Sequence, residues 1–484
     1  MKYLIWGLGK SGIASLQLLK NQFDDEIYLF DDNDEVLNNF SNELPQYLDN
    51  ENQNNIRIIK RLTKGFVSLL NVMIVSPAID TDNQFVILAR EKGVRVISEL
   101  QLGYENLGNN DLICLTGTNG KTTTVQLATL MLRYGNIDAK AVGNIGVPLC
   151  QELYKIRQQT NRKSNEKNTT YLTQNKKQQK YNNDKHVFVC EVSSFQLQCC
   201  TSFRPKIACL LNISQDHLNR HKSMQEYTNI KYGIFKNQTS NDISILSSEL
   251  NCSLNTNVYQ FGFEKVKKGC YVKNGYIYFK NKLFAHKVCK VADIKLLGKH
   301  NIKNVMCAII IAKLYKVKNK DIVQAIKDFV PSKHRLQCVY KRENNYFYDD
   351  SKATNLDATV NALTSFKGNK NFILILGGSD KGYEFDALFD NLPPNLIKIF
   401  ATGQVKGKIK IAYDNAKVNI PLELCDNLRS AVYLACNELK DNEDLLLSPA
   451  CASFDEFRDY RERGEKFLKY IKDFYEEFKD ENIK

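Results

Sequence analysis

Between Leu112 and Thr124 the chain reads Leu-Ile-Cys-Leu-Thr-Gly-Thr-Asn-Gly-Lys-Thr-Thr-Thr, and no other stretch restricts its architecture as much. An apolar run from Leu112 to Leu115 stops at Gly117, and after Lys121 the apolar residues Val125, Leu127, Ala128, Leu130, Met131 and Leu132 recur at helical spacing. The pattern is strand, loop, helix. Gly117 and Gly120 let the loop, with Thr118 and Asn119 between them, turn its amides inward. The helix N-terminus adds the positive end of its dipole, and Lys121 supplies a point charge for terminal phosphates. Thr122, followed by Thr123, offers a hydroxyl for Mg2+ beside them. A generic P-loop carries Gly at position 115, where this chain has Leu, but Gly-Thr-Asn-Gly-Lys-Thr is a more specific variant of it. The loop is read as a nucleoside triphosphate site.

At 484 residues the chain has room for about three domains of ~150 residues each. Its 43% apolar and 25% charged content are those of an ordinary globular protein. No apolar run reaches the ~18 residues of a membrane span, and Met1 to Lys10 leads into a strand instead of a signal peptide, so a cytoplasmic protein without membrane insertion is expected. The 14 cysteines show no C-x-x-C spacing and are expected to be reduced. The net charge of +13 comes from Lys scattered among Asn, with no aromatic-interleaved basic stripe, so nucleic acid is not expected as a partner.

The N-terminus carries Gly7-x-Gly9-x-x-Gly12 between a strand and a helix placed from about Ile13 to Asn21. A second strand, 26–30, ends in Asp31 and Asp32. Alone this is a dinucleotide fingerprint, but such a turn accepts any nucleotide-like group. Ser76-Pro77-Ala78-Ile79 follows another strand and falls at the ligand edge of an open sheet. Past the triphosphate loop come Gly143-Asn144-Ile-Gly-Val-Pro and then, from about 151 to 186, a Lys, Asn, Gln and Thr segment too polar to order itself. That segment is read as a mobile surface insertion with a helix at its start.

A buried strand from Val187 then delivers Glu191, and a second, 207–211, leads to Asp216-His217. A Glu and a His at strand ends beside a phosphate loop suit a metal site for a nucleotide. A capped helix with Tyr227 and Lys231 follows, and Asn274-Gly275 is a hairpin signature. Asn301 and Asn304 share one helix face, either as caps or facing a purine. The last third repeats strand, turn and helix, with Arg335, Lys352 and Lys381 where anionic groups would bind.

Together these motifs resemble the Mur ligase family. The residues that carry the resemblance are Gly117-Thr-Asn-Gly-Lys-Thr-Thr, Gly143-Asn-Ile-Gly-Val-Pro, Glu191-Val-Ser-Ser-Phe-Gln, Asp216-His, Arg220-His221, Lys299-His-Asn-Ile-Lys-Asn, His334-Arg335, Asp350-Ser-Lys-Ala-Thr-Asn and Ser448-Pro-Ala-Cys-Ala-Ser-Phe-Asp with Arg463-Gly464. The last two sets point to the D-glutamate-adding branch. The resemblance implies three α/β domains: a Rossmann-like UDP-sugar domain over 1–105, a P-loop-type ATPase domain over 106–331, and a Rossmann-like ATP and amino-acid domain over 332–484. It implies a peptidoglycan-precursor ligase that consumes ATP and forms an acyl phosphate.

By the same resemblance Lys121, Asn144, His217 and Lys231 are catalytic. Residues 117–123 with Asn301, Asn304, Arg335 and Asp350 bind ATP. Ser11, Asp31, Asp32 and Ser76 bind the UDP-sugar, and Lys352, Thr354, Lys381, Ser453, Phe454 and Tyr460 bind D-glutamate. Thr122, Glu191, His217 and a carbamylated Lys231 hold two Mg2+ ions. A monomer acting on small molecules is expected. The chain departs from the family pattern at Ala78, Asn219 and Asn33, where Gly, Asp and Arg are expected. Two other enzyme readings stand beside this one: a folate-type glutamate ligase, and a nicotinamide oxidoreductase resting on Gly7, Gly9 and Gly12 alone.

Overall fold

In the computed structural model, which describes residues 1–20, 25–47, 55–169, 185–217, 220–366 and 370–481, the strands form three separate sheets. The first consists of β1 (Lys2–Trp6), β2 (Glu26–Phe30), β3 (Ile56–Ile58), β4 (Val72–Val75) and β5 (Arg95–Ile97). Its order is β3-β2-β1-β4-β5, all parallel. The chain reverses direction across the sheet at β1, so the Gly7 turn and Ser76 face one crevice beyond the strand ends.

The second sheet contains β6 (Asp111–Thr116), β7 (Ala139–Gly143), β8 (Val187–Glu191), β9 (Ile207–Leu210), β10 (Ile243–Ser247), β11 (Asn257–Gly262), β12 (Gly269–Lys273), β13 (Tyr276–Lys280) and β14 (Ala285–Lys290). They run in the order β14-β13-β12-β11-β10-β9-β6-β8-β7. Every residue of β6 and β8 is buried, as expected of near-continuous apolar strands covered on both faces. β6 is the switch strand, flanked by β8 and β9, and the loops that follow these three strands meet above it. At the far edge β12 and β13 form the expected hairpin, with positive φ at both Asn274 (49°) and Gly275 (73°), the signature of a type I′ turn.

The third sheet comprises β15 (Gln337–Arg342), β16 (Asn345–Asp349), β17 (Phe372–Gly377), β18 (Leu396–Thr402), β19 (Leu422–Leu424) and β20 (Asp444–Leu447). Its order is β15-β16-β20-β17-β18-β19, parallel except for the β15–β16 hairpin.

The helix of the first glycine turn begins at Lys10, earlier than its apolar periodicity indicates, because the Gly9 backbone serves as the N-cap. The helix expected at the start of the polar segment is present: Leu149–Thr169 is one helix, and Leu149, Cys150 and Leu153 are buried in its first turns. Residues 170–184 of the expected mobile stretch lie outside the described residues, as does Asn219.

Those three side chains join a single apolar core that runs from the first sheet into the second, from Ile5, Leu16 and Leu29 to Phe188, Leu210 and Leu246. Polar contacts along the seam reinforce it. Cys150 N donates to Glu99 Oε1 at 2.6 Å, and Gln101 Oε1 accepts from Thr201 N at 3.1 Å. The third sheet has its own cores, one on each face. The first two units are therefore welded by apolar burial, and the third meets them through polar side chains.

Two predictions follow from the weld. Leu149→Ala, a change in the second unit, should lower stability by about 2–5 kcal/mol. It should shift the denaturation midpoint reported by fluorescence of Trp6, the chain's one tryptophan, in the first sheet; an unmoved Trp6 transition would show that the two units unfold independently. Burial pushes the Glu99 carboxyl up to about 7, and its Oε2 has no hydrogen-bond partner. The folded state then holds a proton that the unfolded chain releases, so Glu99 lowers stability as pH rises from about 4.5 to about 7. Glu99→Gln should remove that slope from a plot of urea midpoint against pH, and an identical slope in both proteins would contradict this.

Candidate active site

The loop after β6 is braced from the loop after β9. Asn212 accepts from Asn119 N through its Oδ1 at 2.8 Å and from Thr118 N through its carbonyl at 3.1 Å, while Ser214 N donates to Thr118 Oγ1 at 3.0 Å. Gly120 sits at φ 83°, and a Cβ there would lie 2.3 Å from Asn304 Oδ1. Only glycine allows Asn304 to close over the loop. Asn304 in turn donates to Asn301 Oδ1 at 3.1 Å, so the two asparagines are joined on one face as their spacing indicates.

Two lysines lean on one carbonyl. Lys121 Nζ donates to Gly117 O at 2.7 Å and Thr118 O at 2.8 Å, and Lys231 Nζ donates to the same Gly117 O at 2.9 Å. Lys231 is 1% exposed and lies 4.5 Å above the Tyr227 ring. Burial first, and then the charge of Lys121, hold the Lys231 amine well below its ordinary value; burial also lowers Lys121. Beneath Lys231 the rings of Tyr227, His221 and Phe195 are stacked or tilted at centroid separations of 5.2 and 5.3 Å.

Glu191, at the end of β8, is buried and fully engaged. Its Oε2 accepts from Thr122 Oγ1 at 2.8 Å and its Oε1 from Asn144 Nδ2 at 3.0 Å. Thr122 Oγ1 also accepts from Arg335 Nη2 of the third unit at 2.8 Å. A carboxylate and a hydroxyl side by side are the hard oxygen donors that suit Mg2+. Among the described residues no group of three or more His, Cys, Asp and Glu side chains converges on one point, so an ion held by Thr122 and Glu191 must complete its shell with phosphate or water oxygens. His217 stands at φ 56°, edge-on to Phe195 at 5.0 Å, with its Nε2 3.5 Å from Asp216 Oδ2. Burial lowers its imidazole to about 4, which leaves it neutral at physiological pH and fit to ligate a cation.

A cavity of about 370 Å3 opens beside the phosphate loop. It is lined by Asn119, Gly120 and Thr123, by Asn301 and Asn304, and by Arg335, Asp350 and Lys352. Leu296, His300 and Pro331 add a less polar wall of the kind a base stacks against. Asp350 accepts from Leu336 N at 3.0 Å and Ser448 Oγ at 2.9 Å, and burial raises its carboxyl to about 7. Lys352 Nζ lies 3.8 Å over the Tyr460 ring, and burial lowers it to about 8.

Lys381 Nζ donates to Thr354 O at 3.4 Å and approaches Asp216 Oδ1 at 3.6 Å, so a third cation of the third unit, after Arg335 and Lys352, faces the loop of His217. Ser453 is buried, whereas Phe454, next to it, is 73% exposed. In the first unit Asp31 accepts from Leu8 N at 2.8 Å and Asp32 from the Trp6 indole at 2.8 Å, so both acids first fix their own turn. Ser11 and Ser76 are half-buried at the same sheet edge. Arg220 donates to the Ala78 carbonyl at 3.1 Å, tying that edge to the His217 loop.

Asp357 carried no recognisable signal in the sequence, and the pairing of Asn355 with Asp216, each part of a recognised motif, was not legible either. Asp357 Oδ2 accepts from Asn119 Nδ2 at 2.6 Å and Ser214 Oγ at 3.0 Å, and Asn355 Nδ2 donates to Asp216 Oδ2 at 3.0 Å. These are contacts between units more than 100 positions apart, which local spacing does not reveal.

Residues 115–312 match the Mur ligase middle domain. The chain is 33% identical over 483 residues to UDP-N-acetylmuramoylalanine–D-glutamate ligase of Caldanaerobacter subterraneus subsp. tengcongensis, covering 98% of each chain. It is 36% identical over 409 residues to the protein of the same name from Bacillus mycoides, covering 83% of each. In fold it is similar to UDP-N-acetylmuramate–alanine ligase from Thermotoga maritima, with a TM-score of 0.54, 16% identity and coverage of 98% of this chain and 99% of that one.

Asp357→Ala removes the acceptor of two bonds that hold the third unit against the phosphate loop, each worth about 1.5–3 kcal/mol as a bond to a charged group. The ligand-free variant should show a larger radius of gyration than wild type in small-angle scattering. Superimposable curves would mean that these bonds do not set the closure.

Proposed function

The chain belongs to the Mur ligase family, and on that premise we propose how its site joins D-glutamate to UDP-N-acetylmuramoyl-L-alanine at the expense of ATP. It is an ATP-dependent amide-forming ligase of peptidoglycan precursor synthesis, the activity named for its relatives. The observation that carries the reading is Glu191 bonded by Thr122 and Asn144, with Arg335 on Thr122, beside a phosphate loop whose Gly117 carbonyl takes both Lys121 and the buried Lys231.

A carboxylate is a poor electrophile, so the terminal alanine carboxylate first attacks the γ-phosphorus of ATP. The bond to the β-phosphate oxygen breaks, ADP leaves, and an acyl phosphate remains. The D-glutamate amine then attacks the acyl carbon, and phosphate departs. In our reading residues 117–123 cradle the triphosphate, and Lys121 leaves the Gly117 carbonyl to neutralise the β- and γ-phosphates. Asn144 orients the group in transfer, and Arg335 meets its charge from the opposite side. Catalysis of this step is mainly positioning and charge stabilisation. Asn301 and Asn304 face the base, and Asp350 the ribose. Ser11, Asp31, Asp32 and Ser76 take the uridine end of the nucleotide sugar. Lys352, Thr354, Lys381, Ser453, Phe454 and Tyr460 take the D-glutamate carboxylates.

Thr122 and Glu191 would hold one Mg2+, and His217 with Lys231 a second; when bound, the ions supply charge neutralisation for the phosphates. A neutral, buried Lys231 amine can attack CO2 and lose a proton to become a carbamate, which turns a cation into an anionic oxygen ligand. The direction of its pKa favours that conversion. The division of labour follows the three segments 1–105, 106–331 and 332–484. Among the described residues no helix is long and apolar enough to cross a membrane. We further propose a cytoplasmic monomer, since all its substrates are water-soluble small molecules.

ADP release should depend on both UDP-N-acetylmuramoyl-L-alanine and D-glutamate. Release unchanged without D-glutamate, or restored equally by L-glutamate, would overturn the assignment. Lys121→Ala should reduce the rate by more than about 100-fold. Lys231→Ala should be partly restored by added short carboxylates, and a variant with full activity and no carboxylate dependence would rule out the carbamate.

A further inference from the structure

Asp216 occupies the meeting point of two sets of residues that serve different substrates. It precedes His217 on the central unit, is 5% exposed, and is bonded from both sides of the seam. Its Oδ1 accepts from His217 N at 2.9 Å and from the Tyr383 hydroxyl at 2.7 Å, with Lys381 Nζ at 3.6 Å. Its Oδ2 accepts from Asn355 Nδ2 at 3.0 Å and lies 3.5 Å from His217 Nε2. Three groups of the third unit thus meet this one carboxylate: Tyr383 and Asn355 donate to it and Lys381 faces it.

Tyr383, Lys381 and Asn355 all belong to the third unit. Tyr383 is 2% exposed, and its phenol bonds a carboxylate of another unit at a distance typical of a charge-assisted bond. Removing that donor leaves Asp216 short of a partner in a nearly dry site, with Lys381 the nearest group able to replace it. Lys381 would then turn toward Asp216 and away from an incoming carboxylate.

We propose that Tyr383 is a positioning residue which, by bonding Asp216, keeps Lys381 available to the amino-acid substrate and His217 in register with it when the third unit closes. Tyr383 touches neither nucleotide nor amino acid; it acts through Asp216. It also makes amino-acid binding depend on closure, because Asp216 lies on one side of the seam and Lys381 on the other. The inference rests on the ligase reading, in which Lys381 meets a D-glutamate carboxylate.

The test uses the full-length enzyme and Tyr383→Phe, which keeps the ring that fills the buried site. The KM for D-glutamate should rise about tenfold, the loss of one charge-assisted hydrogen bond. The KM values for ATP and for the nucleotide sugar should stay within about twofold. If Phe lowers the thermal midpoint, Tyr383→Met, an apolar filler of similar reach, is measured the same way. In the Asp216→Ala background, Tyr383→Phe should have no further effect on the D-glutamate KM, since the bond is already gone. An unchanged D-glutamate KM, an equal rise in all three KM values, or full additivity with Asp216→Ala would each overturn the proposal. A wild-type enzyme that does not use D-glutamate would instead refute the ligase reading, so the two failures are distinguishable.

Discussion

The amines of Lys121 and Lys231 both donate to the carbonyl of Gly117, and the surrounding chemistry answers that crowding. Lys231, 1% exposed, is held well below its ordinary value by burial first and by the charge of Lys121 second. The nearby carboxylates do not pair with either lysine. Glu191 is taken by Thr122 and Asn144, and Asp216 by His217, Tyr383 and Asn355. The site is therefore built with a surplus of cationic character that only an added anion can satisfy, which is the electrostatic form of a triphosphate requirement.

Much of this was legible in the sequence because the chemistry sits at strand ends. Gly117 to Thr123, Glu191 and His217 follow buried apolar runs, and a run that ends abruptly in polar residues marks the ligand edge of an α/β sheet. The hairpin at Asn274-Gly275 was legible for a similar reason, since the turn type dictates its residues. Pairing across units was not. Nothing local to Asp357 says that it will accept from Asn119, and Tyr383 looks like an ordinary aromatic two residues beyond Lys381. The helix at the start of the polar segment was legible as well, and Leu149, Cys150 and Leu153, with Tyr154 and Ile156 packed beside them, anchor it on the first unit.

The two seams of the molecule differ in kind. Between the first and second units the contact is apolar and continuous, so parting them would expose core side chains to water. Between the second and third the contacts are Arg335 to Thr122, Asn119 to Asp357, and Asp216 to Asn355 and Tyr383. These contacts hold the seam without a continuous apolar core, and they are made among the groups assigned to phosphates and to the amino acid.

The anchored first turns of the Leu149–Thr169 helix also bear on how such a chain tolerates change over generations. Among the described residues Ile156 is the last of that helix packed on the shared core, and the next core position is Val187, where β8 begins. Both ends of the connection are fixed independently of its length. Lengthening it costs only the logarithm of loop size, about 0.6 kcal/mol for each doubling. Residues added there would leave Glu191, only four residues past Val187, in place.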